Sequence, residues 1–227
     1  MAEMMRKLRE KVMRLVYPHD VACSICSGEV DVLPGYGVCA ICMATLPRVT
    51  EEVQIGSDRA FDGLAAPFYY ETPVKELIHR FKYSNMRFIA KSLAHFMHDA
   101  VKDAGWANIH AVVPVPLHEA RRRERGFNQA ALLASELAQL MGNAVDENAI
   151  RRIRDTRTQT LLDKEEREQN VRDAFEVPET SRIEGATLLL VDDVVTTGTT
   201  VDACARSLKA AGAKTVFVVS ACTRAIE

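Results

Sequence analysis

Two adjacent aspartates and a threonine-rich loop are the residues of this sequence whose types and spacing suggest chemistry most directly. Asp192 and Asp193 follow the apolar run Leu188–Val191, and after two valines comes the sequence Thr-Thr-Gly-Thr-Thr. A buried strand that runs into such a loop and then into a helix makes an anion site, because unpaired backbone N–H groups and the positive end of the helix dipole meet there. The central glycine lets the backbone approach an anion without a Cβ clash, and the threonines add hydroxyl donors. The loop consists of Thr196, Thr197, Gly198, Thr199 and Thr200.

The length of this loop limits what it can bind. The loop lacks the Gly-Lys pair of a Walker sequence, so a monophosphate fits it better than a triphosphate. Two carboxylates at the carboxyl end of a strand lie where open α/β sheets bind their ligands, and they can accept hydrogen bonds from ribose hydroxyls. Taken alone, the two acids could instead cap a strand, and Thr-Gly-Thr could be a turn that opens a helix.

A second polar segment follows an earlier apolar strand. Residues 113–117 read Val-Pro-Val-Pro-Leu, in which two prolines make a stiff loop, and four arginines follow within residues 121–125. Arginine suits a pyrophosphate because its planar fork can bind two oxygens at once. For Arg122 and Arg123, a solvent-exposed entry into a helix is the alternative interpretation.

The thirteen residues from Leu188 to Thr200 resemble the phosphoribosyl-pyrophosphate (PRPP) binding signature of type I phosphoribosyltransferases. Together with residues 113–130, the chain resembles the ComF family of bacterial competence-related proteins, which join a zinc ribbon to a phosphoribosyltransferase-like domain. The resemblance implies that Asp192 and Asp193 contact the ribose 2′ and 3′ hydroxyls and that residues 196–200 hold the 5′-phosphate. It assigns the pyrophosphate to Pro114, Val115, Pro116, Arg121 and Arg125. Mg²⁺ would accompany PRPP, held mostly by substrate oxygens and water.

Other positions agree with the same family pattern. Lys82 is a candidate for a contact with the acceptor or a phosphate, and Asn128 and Gln129 are further candidates at the start of a helix. The polar segment 151–175 could form a hood over the site, and the alternative is an exposed linker. Closure of a hood would exclude water from a reactive sugar intermediate. The hood candidates for substrate contact are Gln159 and Arg167.

Four of the six cysteines form two Cys-x2-Cys pairs separated by twelve residues. This spacing is typical of two zinc knuckles, and four thiolates around one Zn²⁺ would stabilise a module too small to bury its own core. A disulfide pair is the alternative, but a cytosolic chain keeps its thiols reduced. The predicted metal ligands are Cys23, Cys26, Cys39 and Cys42. Cys204 and Cys222 are most simply small core residues.

Composition narrows the class of protein and its partners. Of the 227 residues, 48% are hydrophobic and 26% are charged, which is typical of a globular protein with a packed core. The net charge of −2 gives no global positive field, so any contact with nucleic acid requires a local patch. No apolar run approaches the roughly 18 to 20 residues of a membrane-spanning helix, and the basic N-terminus lacks a secretory apolar core. We therefore expect a cytoplasmic protein with no transmembrane segment.

Three regions are predicted along the chain. Residues 1–17 have the apolar spacing of an amphipathic helix, which would pack on its own protein or contact a partner or membrane surface. Residues 18–50 form the four-cysteine zinc ribbon, and residues 51–227 form the phosphoribosyltransferase-like domain. In this domain, strand-length apolar segments alternate with helical patterns, which predicts an α/β fold with a doubly wound, mostly parallel sheet. Strands are predicted at 61–70, 110–115, 188–191 and 215–220, and helices at 73–83, 88–101, 128–141 and 199–211.

Two functions are compatible with these patterns. The first is an enzyme that breaks the bond between C1 of PRPP and pyrophosphate and transfers the phosphoribosyl group to an acceptor, for which no general base is identifiable. The second is a non-catalytic protein that binds PRPP, while its ribbon and arginines bind single-stranded DNA during uptake, together with other DNA-uptake proteins. A nucleic acid or nucleotide as the acceptor would make the two hypotheses compatible.

Overall fold

The computed structural model describes residues 22–28, 32–51, 53, 58–84, 86–154, 174–179 and 181–224. The predicted N-terminal helix at 1–17 and the predicted hood residues Gln159 and Arg167 lie outside these ranges, as do the side chains of Glu124 and Arg125. The boundaries of the three predicted regions stay predictions. None of the described helices is long and apolar enough to cross a membrane.

A sheet of five parallel strands forms the centre of the molecule. The strands are β1 (Gly63–Ala65), β2 (Ala111–Pro114), β3 (Ala144–Val145), β6 (Thr187–Val195) and β7 (Thr215–Thr223). Their spatial order is β1-β7-β6-β2-β3. The central strands β6 and β7 are apolar on both faces because helices cover both sides of a parallel sheet.

The two faces of the sheet bury different sets of helices. The helices are α1 (Ala40–Ala44), α2 (Val74–Tyr83), α3 (Ile89–Asp103), α4 (Glu119–Arg125), α5 (Gln129–Met141) and α6 (Thr199–Ala210). Leu189 and Val191 of β6 point into a core shared with α2, α3 and α5, whereas Leu188 and Leu190 point into a core shared with α6. This alternation follows from the two-residue period of a strand.

A short antiparallel pair stands outside the central sheet. β4 (Arg151–Arg152) pairs with β5 (Phe175–Glu176), and the carboxylate of Glu176 accepts a hydrogen bond of 2.9 Å from Arg151 Nη2. Ser207 of α6 donates to the carbonyl of Phe175 at 3.3 Å. The pair therefore fixes both ends of the segment predicted as a hood next to α6.

The predicted α/β fold with a mostly parallel sheet is confirmed, but three predicted strand lengths are wrong, and one of these strands, expected at 215–220, extends to Thr223. The strand expected at 61–70 is limited to Gly63–Ala65, and after an interruption at residues 66–68 the chain returns to β7, where Tyr69 forms a parallel bridge to Thr223. The strand expected at 188–191 extends to Val195, because β7 is equally long and pairs with it as far as Thr223. Asp192 and Asp193 therefore lie within a strand and not in the loop that follows it.

Candidate functional site

The topology of the sheet creates a crevice between the carboxyl ends of β2 and β6. These strands are neighbours, but the chain leaves β2 toward β3 and leaves β6 toward β7 on the opposite side. Such a switch point is where open α/β sheets bind ligands. The two ends are joined by a 2.8 Å hydrogen bond from the N–H of Val115 to the carbonyl of Val191. The predicted phosphate loop and the predicted pyrophosphate loop therefore border one crevice.

The predicted phosphate loop, residues 196–200, forms the entry to α6. Gly198 is the N-cap of this helix, with φ of 75° and ψ of −3°, a left-handed conformation that favours glycine. The hydroxyls of Thr197 and Thr199 lie 2.9 Å apart. A concave site is lined by Asp192 and residues 194–201. All five predicted loop residues, 196–200, line this site, so the structure brings them together with one of the two aspartates.

Asp192 and Asp193 point to opposite faces of β6. The carboxylate of Asp192 lies on the α6 side and lines the concave site. Asp193 is buried on the other side, where its carboxylate forms a 2.8 Å ion pair with Lys82 Nζ. The two adjacent acids therefore have different surroundings.

The Asp192 carboxyl titrates far from the ordinary range of an aspartate. Burial and the nearby negative charge of Asp193 raise its pKa to about 7. The N–H of Asp193, which donates to Asp192 Oδ1 at 2.8 Å, and the positive charges of Lys82 and Arg152 act in the opposite direction. This carboxyl therefore changes charge near neutral pH.

Lys82 connects the site to helix α2. Its ammonium group lies at the C-terminal end of α2, and its side chain is 19% exposed in the ion pair with Asp193. The prediction from sequence named Lys82 without its partner, and the structure places it against one of the two predicted acids.

The loop after β2 contains the residues predicted on the pyrophosphate side. Pro114 ends β2, and Val115 is buried. Asn128 caps α5 by accepting from the N–H of Ala130 at 3.1 Å, and its amide donates to the carbonyl of Val115 at 3.1 Å. Asn128 thus fixes this loop to the start of α5. Pro116 and Arg121 are half-buried, and Gln129 is buried in the first turn of α5.

Two arginines at the site were not among the residues predicted to contact substrate, although Arg152 lies in the segment predicted as a hood. Arg152 of β4 contributes a positive charge near Asp192, and its guanidinium lies 5.4 Å from the centre of the Phe175 ring. Arg59 donates to the carbonyl of Thr197 at 2.6 Å although 138 residues separate them. No local pattern around Arg59 indicates this contact, because it depends on the tertiary fold.

The four predicted metal ligands form one cluster. The sulfur atoms of Cys23, Cys26, Cys39 and Cys42 all lie within 4.8 Å of one another. Four thiolates at about 2.3 Å from a tetrahedral Zn²⁺ would be about 3.8 Å apart, so small side-chain shifts accommodate the ion. The N–H groups of Ile25 and Cys39 each donate to Cys23 Sγ at 3.4 Å, which stabilises a thiolate. The cluster can therefore hold a metal ion of the zinc type.

The surroundings of the cluster shift the pKa values of two of its thiols in opposite directions. Burial and hydrogen bonds with the other three sulfurs raise the pKa of Cys42 to about 12. Burial also raises the pKa of Cys23, but the backbone N–H groups around it outweigh this effect and bring it to about 7. A bound cation would replace these protons, because metals bind the thiolate form. Cys204 and Cys222, in contrast, are completely buried in the core.

The cysteine module packs closely on helices α2 and α3. Arg80 of α2 donates to the carbonyls of Ser24 and Ile25 inside the first knuckle, at 2.5 and 3.1 Å. Gly35 lies so near His95 of α3 that a Cβ at this position would be 2.7 Å from the imidazole. The module is therefore attached to the same helix that carries Lys82.

Comparison with known protein families matches residues 89–227 to the phosphoribosyl transferase domain. Competence protein F of Haemophilus influenzae is 29% identical over 201 residues, covering 86% of this chain and 88% of that protein. DNA utilization protein YhgH of Salmonella typhimurium is 34% identical over 212 residues, covering 84% and 92%. Competence protein ComFC of Bacillus subtilis is 24% identical over 205 residues, covering 87% and 82%.

Solved structures that match part of this chain include a PRPP amidotransferase and an adenine phosphoribosyltransferase. Glutamine PRPP amidotransferase from B. subtilis is 19% identical with a TM-score of 0.45, covering 63% of this chain and 30% of that chain. Adenine phosphoribosyltransferase from Saccharomyces cerevisiae is 15% identical with a TM-score of 0.37, covering 58% and 68%.

Proposed function

This chain belongs to the phosphoribosyl transferase domain family, and within it to the group of competence protein F and DNA utilization protein YhgH, so we propose that it binds PRPP with Mg²⁺. In this proposal, the protein transfers the phosphoribosyl group to an acceptor and releases pyrophosphate. The observation that carries the proposal is the concave site at the N-terminus of α6, which combines the Thr-Gly-Thr loop with the carboxylate of Asp192. This site offers donors for a phosphate and an acceptor for ribose hydroxyls side by side.

In this proposal, the loop of residues 196–200 binds the 5′-phosphate through backbone N–H groups and threonine hydroxyls. Asp192 accepts hydrogen bonds from the ribose hydroxyls, and Asp193 acts from the opposite face of β6 through its ion pair with Lys82. Lys82 is also a candidate contact for a phosphate or the acceptor. Donors fixed before the reaction favour cleavage of the C1–pyrophosphate bond, because they need no reorganisation as charge develops.

The departing pyrophosphate is assigned to the loop of Pro114, Val115 and Pro116, with Arg121 and Arg125 at α4. The support is the position of this loop across the crevice from the phosphate loop, fixed by Asn128. Mg²⁺ would be held by oxygens of PRPP and by water, and it would add to the charge stabilisation of the leaving group. Gln159 and Arg167 are proposed contacts of a hood formed by residues 151–175.

The test is calorimetry of PRPP with Mg²⁺ into the wild-type protein and into Asp192→Asn, run beside a pyrophosphate-release assay with bases, nucleotides and oligonucleotides. Asp103→Asn is the matched control, since this exposed residue ends α3 away from the crevice. We expect Asp192→Asn to weaken binding by about tenfold or more and Asp103→Asn to leave it unchanged. Absence of PRPP binding by the wild-type protein would refute the proposal.

We also propose that the four-cysteine cluster holds a structural Zn²⁺. Such a site requires reduced thiols, and all six cysteines are free, so the proposal assigns the protein to a reducing compartment, the cytoplasm. Metal analysis of the purified protein and of Cys26→Ser tests it. We expect about one Zn²⁺ per chain in the wild type and loss of the ion in the variant.

A second candidate function is a non-catalytic PRPP-binding protein that holds single-stranded DNA, with DNA-uptake proteins as partners. Two observations favour it: relatives are named competence and DNA utilization proteins, and Arg122 and Arg123 are exposed on α4 beside the crevice. Oligonucleotide binding that falls steeply with salt but survives Asp192→Asn, without pyrophosphate release, would favour this function over transfer.

A further inference from the structure

The segment 58–61 crosses over the phosphate loop and is fastened there by hydrogen bonds. The N–H of Ala60 donates to Asp202 Oδ1 at 2.7 Å, and Arg206 donates both to Asp202 Oδ2 at 3.0 Å and to the carbonyl of Asp58 at 2.6 Å. Asp202 is buried in the first turn of α6. The segment is therefore held on the helix that carries the phosphate loop at its N-terminus.

This arrangement brings the guanidinium of Arg59 onto the loop itself. Its Nη2 donates to the carbonyl of Thr197 at 2.6 Å, and its Cζ lies 3.8 Å from the position that a Cβ on Gly198 would occupy. The side chain is 30% exposed, and its Nη1 lies 4.0 Å from Asp202. A forked donor thus contacts the backbone at the centre of the proposed 5′-phosphate site.

The contact with the Thr197 carbonyl controls the direction of a neighbouring donor. In a trans peptide group, the C=O and the following N–H point to opposite sides. Holding the carbonyl of Thr197 toward Arg59 therefore directs the N–H of Gly198 away from Arg59. Gly198 is in the left-handed region, where the backbone is free to flip if nothing holds the preceding carbonyl.

We propose that Arg59 is a positioning residue for the 5′-phosphate: it fixes the Thr197–Gly198 peptide so that the loop presents its N–H groups to a phosphomonoester. This inference rests on the proposed function. It assigns selectivity for the 5′-phosphate end of the substrate to a residue far outside the loop, whereas the pyrophosphate end is bound independently across the crevice.

The selective effect of Arg59 can be tested with two separate ligands, ribose 5-phosphate and Mg²⁺-pyrophosphate, titrated into wild type, Arg59→Ala and Arg59→Lys. Arg182→Ala is the control for net charge, since Arg182 is exposed and lies between β5 and β6. We expect Arg59→Ala to weaken the binding of ribose 5-phosphate by about tenfold, while the affinity for pyrophosphate changes by less than about twofold. Arg59→Lys should recover part of the loss, because its ammonium group can still donate to the Thr197 carbonyl.

Two results would overturn the inference while leaving the proposed function intact: unchanged affinity of Arg59→Ala for ribose 5-phosphate, or equal losses for both ligands. Equal losses for both ligands would mean that Arg59 acts only through overall folding. If Arg59→Ala still binds pyrophosphate normally, that explanation is excluded. Wild-type protein that binds neither ligand would instead refute the proposed function, and the inference with it.

Discussion

Adjacent residues of a strand have opposite surroundings, and this decides what each of the two aspartates can do. Asp192 lines the concave site, while Asp193 pairs with Lys82 on the other face of β6. A motif of two acids suggests two equivalent ligands, but the pleat of the strand separates them. We therefore expect the two carboxylates to differ in their effects on binding and on stability.

Separate substitutions of the two aspartates test this difference. Asp192→Asn should weaken PRPP binding by about tenfold or more, because it replaces one of the two carboxyl oxygens inside the site with an amide group that cannot accept a hydrogen bond. Asp193→Asn should change PRPP affinity by less than about threefold but lower the free energy of unfolding by about 1–2 kcal/mol, because Lys82 loses its partly buried partner. Calorimetry and thermal melting measure the two effects.

The double variant Asp193→Asn with Lys82→Met is the control for this assignment. It should recover most of the lost stability, since no uncompensated charge is left. Equal effects of the two single substitutions on PRPP affinity would contradict the different roles.

The pKa of Asp192, raised by burial to about 7, predicts how stability depends on pH. Between about pH 4 and pH 7 the unfolded chain releases this proton while the folded protein keeps it, so the free energy of unfolding falls as pH rises through this range. Because the side chain is only half-buried, we expect a loss of about 1–2 kcal/mol. Asp192→Asn should lack this loss.

Melting temperatures of wild type and Asp192→Asn between pH 5 and pH 8 measure the effect. The stability of the variant relative to wild type should increase as the pH rises. If the stability of the wild type instead increases relative to that of the variant toward pH 8, burial does not hold the carboxyl of Asp192 protonated.

At the scale of elements, helix α2 connects the cysteine module to the site. Arg80 and Lys82 are two positions apart, so they point in different directions around the helix. Arg80 binds the first knuckle through the carbonyl of Ser24, and Lys82 binds Asp193. The docking of the module and the position of Lys82 therefore depend on one rigid element.

The close approach of Gly35 to α3 predicts a docking defect in Gly35→Ala. Its φ is 82°, and a Cβ would lie 2.7–3.0 Å from the imidazole of His95, so both backbone strain and overpacking contribute, together about 2–3 kcal/mol. Gly105→Ala is the matched control, because φ is 68° and nothing lies within 4 Å of its Cβ position. Thermal melting should show a larger decrease in melting temperature for Gly35→Ala than for Gly105→Ala. Equal losses would mean that the contact with His95 contributes nothing.

At the scale of the whole molecule, binding of the proposed Zn²⁺ and binding of the proposed substrate should be coupled. Removal of the metal by a chelator should loosen the knuckle that accepts hydrogen bonds from Arg80, because a module of this size has no large core of its own. We expect a lower melting temperature and PRPP affinity reduced by about two- to fivefold, both restored by Zn²⁺. Calorimetry with and without the chelator measures the coupling.

A variant that breaks only the connection separates coupling from unfolding. Arg80→Ala should keep its metal but show the reduced PRPP affinity of the chelated protein. If the chelated protein binds PRPP as tightly as the metal-bound protein, helix α2 does not transmit the state of the cysteine module.

The sequence by itself determined the features that depend on contiguous residues. The Thr-Gly-Thr loop was predicted because a buried strand, a glycine turn and a helix N-terminus follow one another within thirteen residues. The alternation of apolar segments and helical patterns predicted the parallel sheet, and the spacing of the cysteine pairs predicted their cluster. In each case the physical signal is local, so it can be read from spacing alone.

Only the tertiary structure decided the features that depend on distant partners. The length of β6, and with it the opposite orientation of Asp192 and Asp193, depends on pairing with β7. The contact of Arg59 with Thr197 spans 138 residues, and the ion pair of Lys82 with Asp193 joins a helix to a strand far away along the chain. A side chain's partner across the fold is set by packing, for which a single sequence carries no periodic or local pattern.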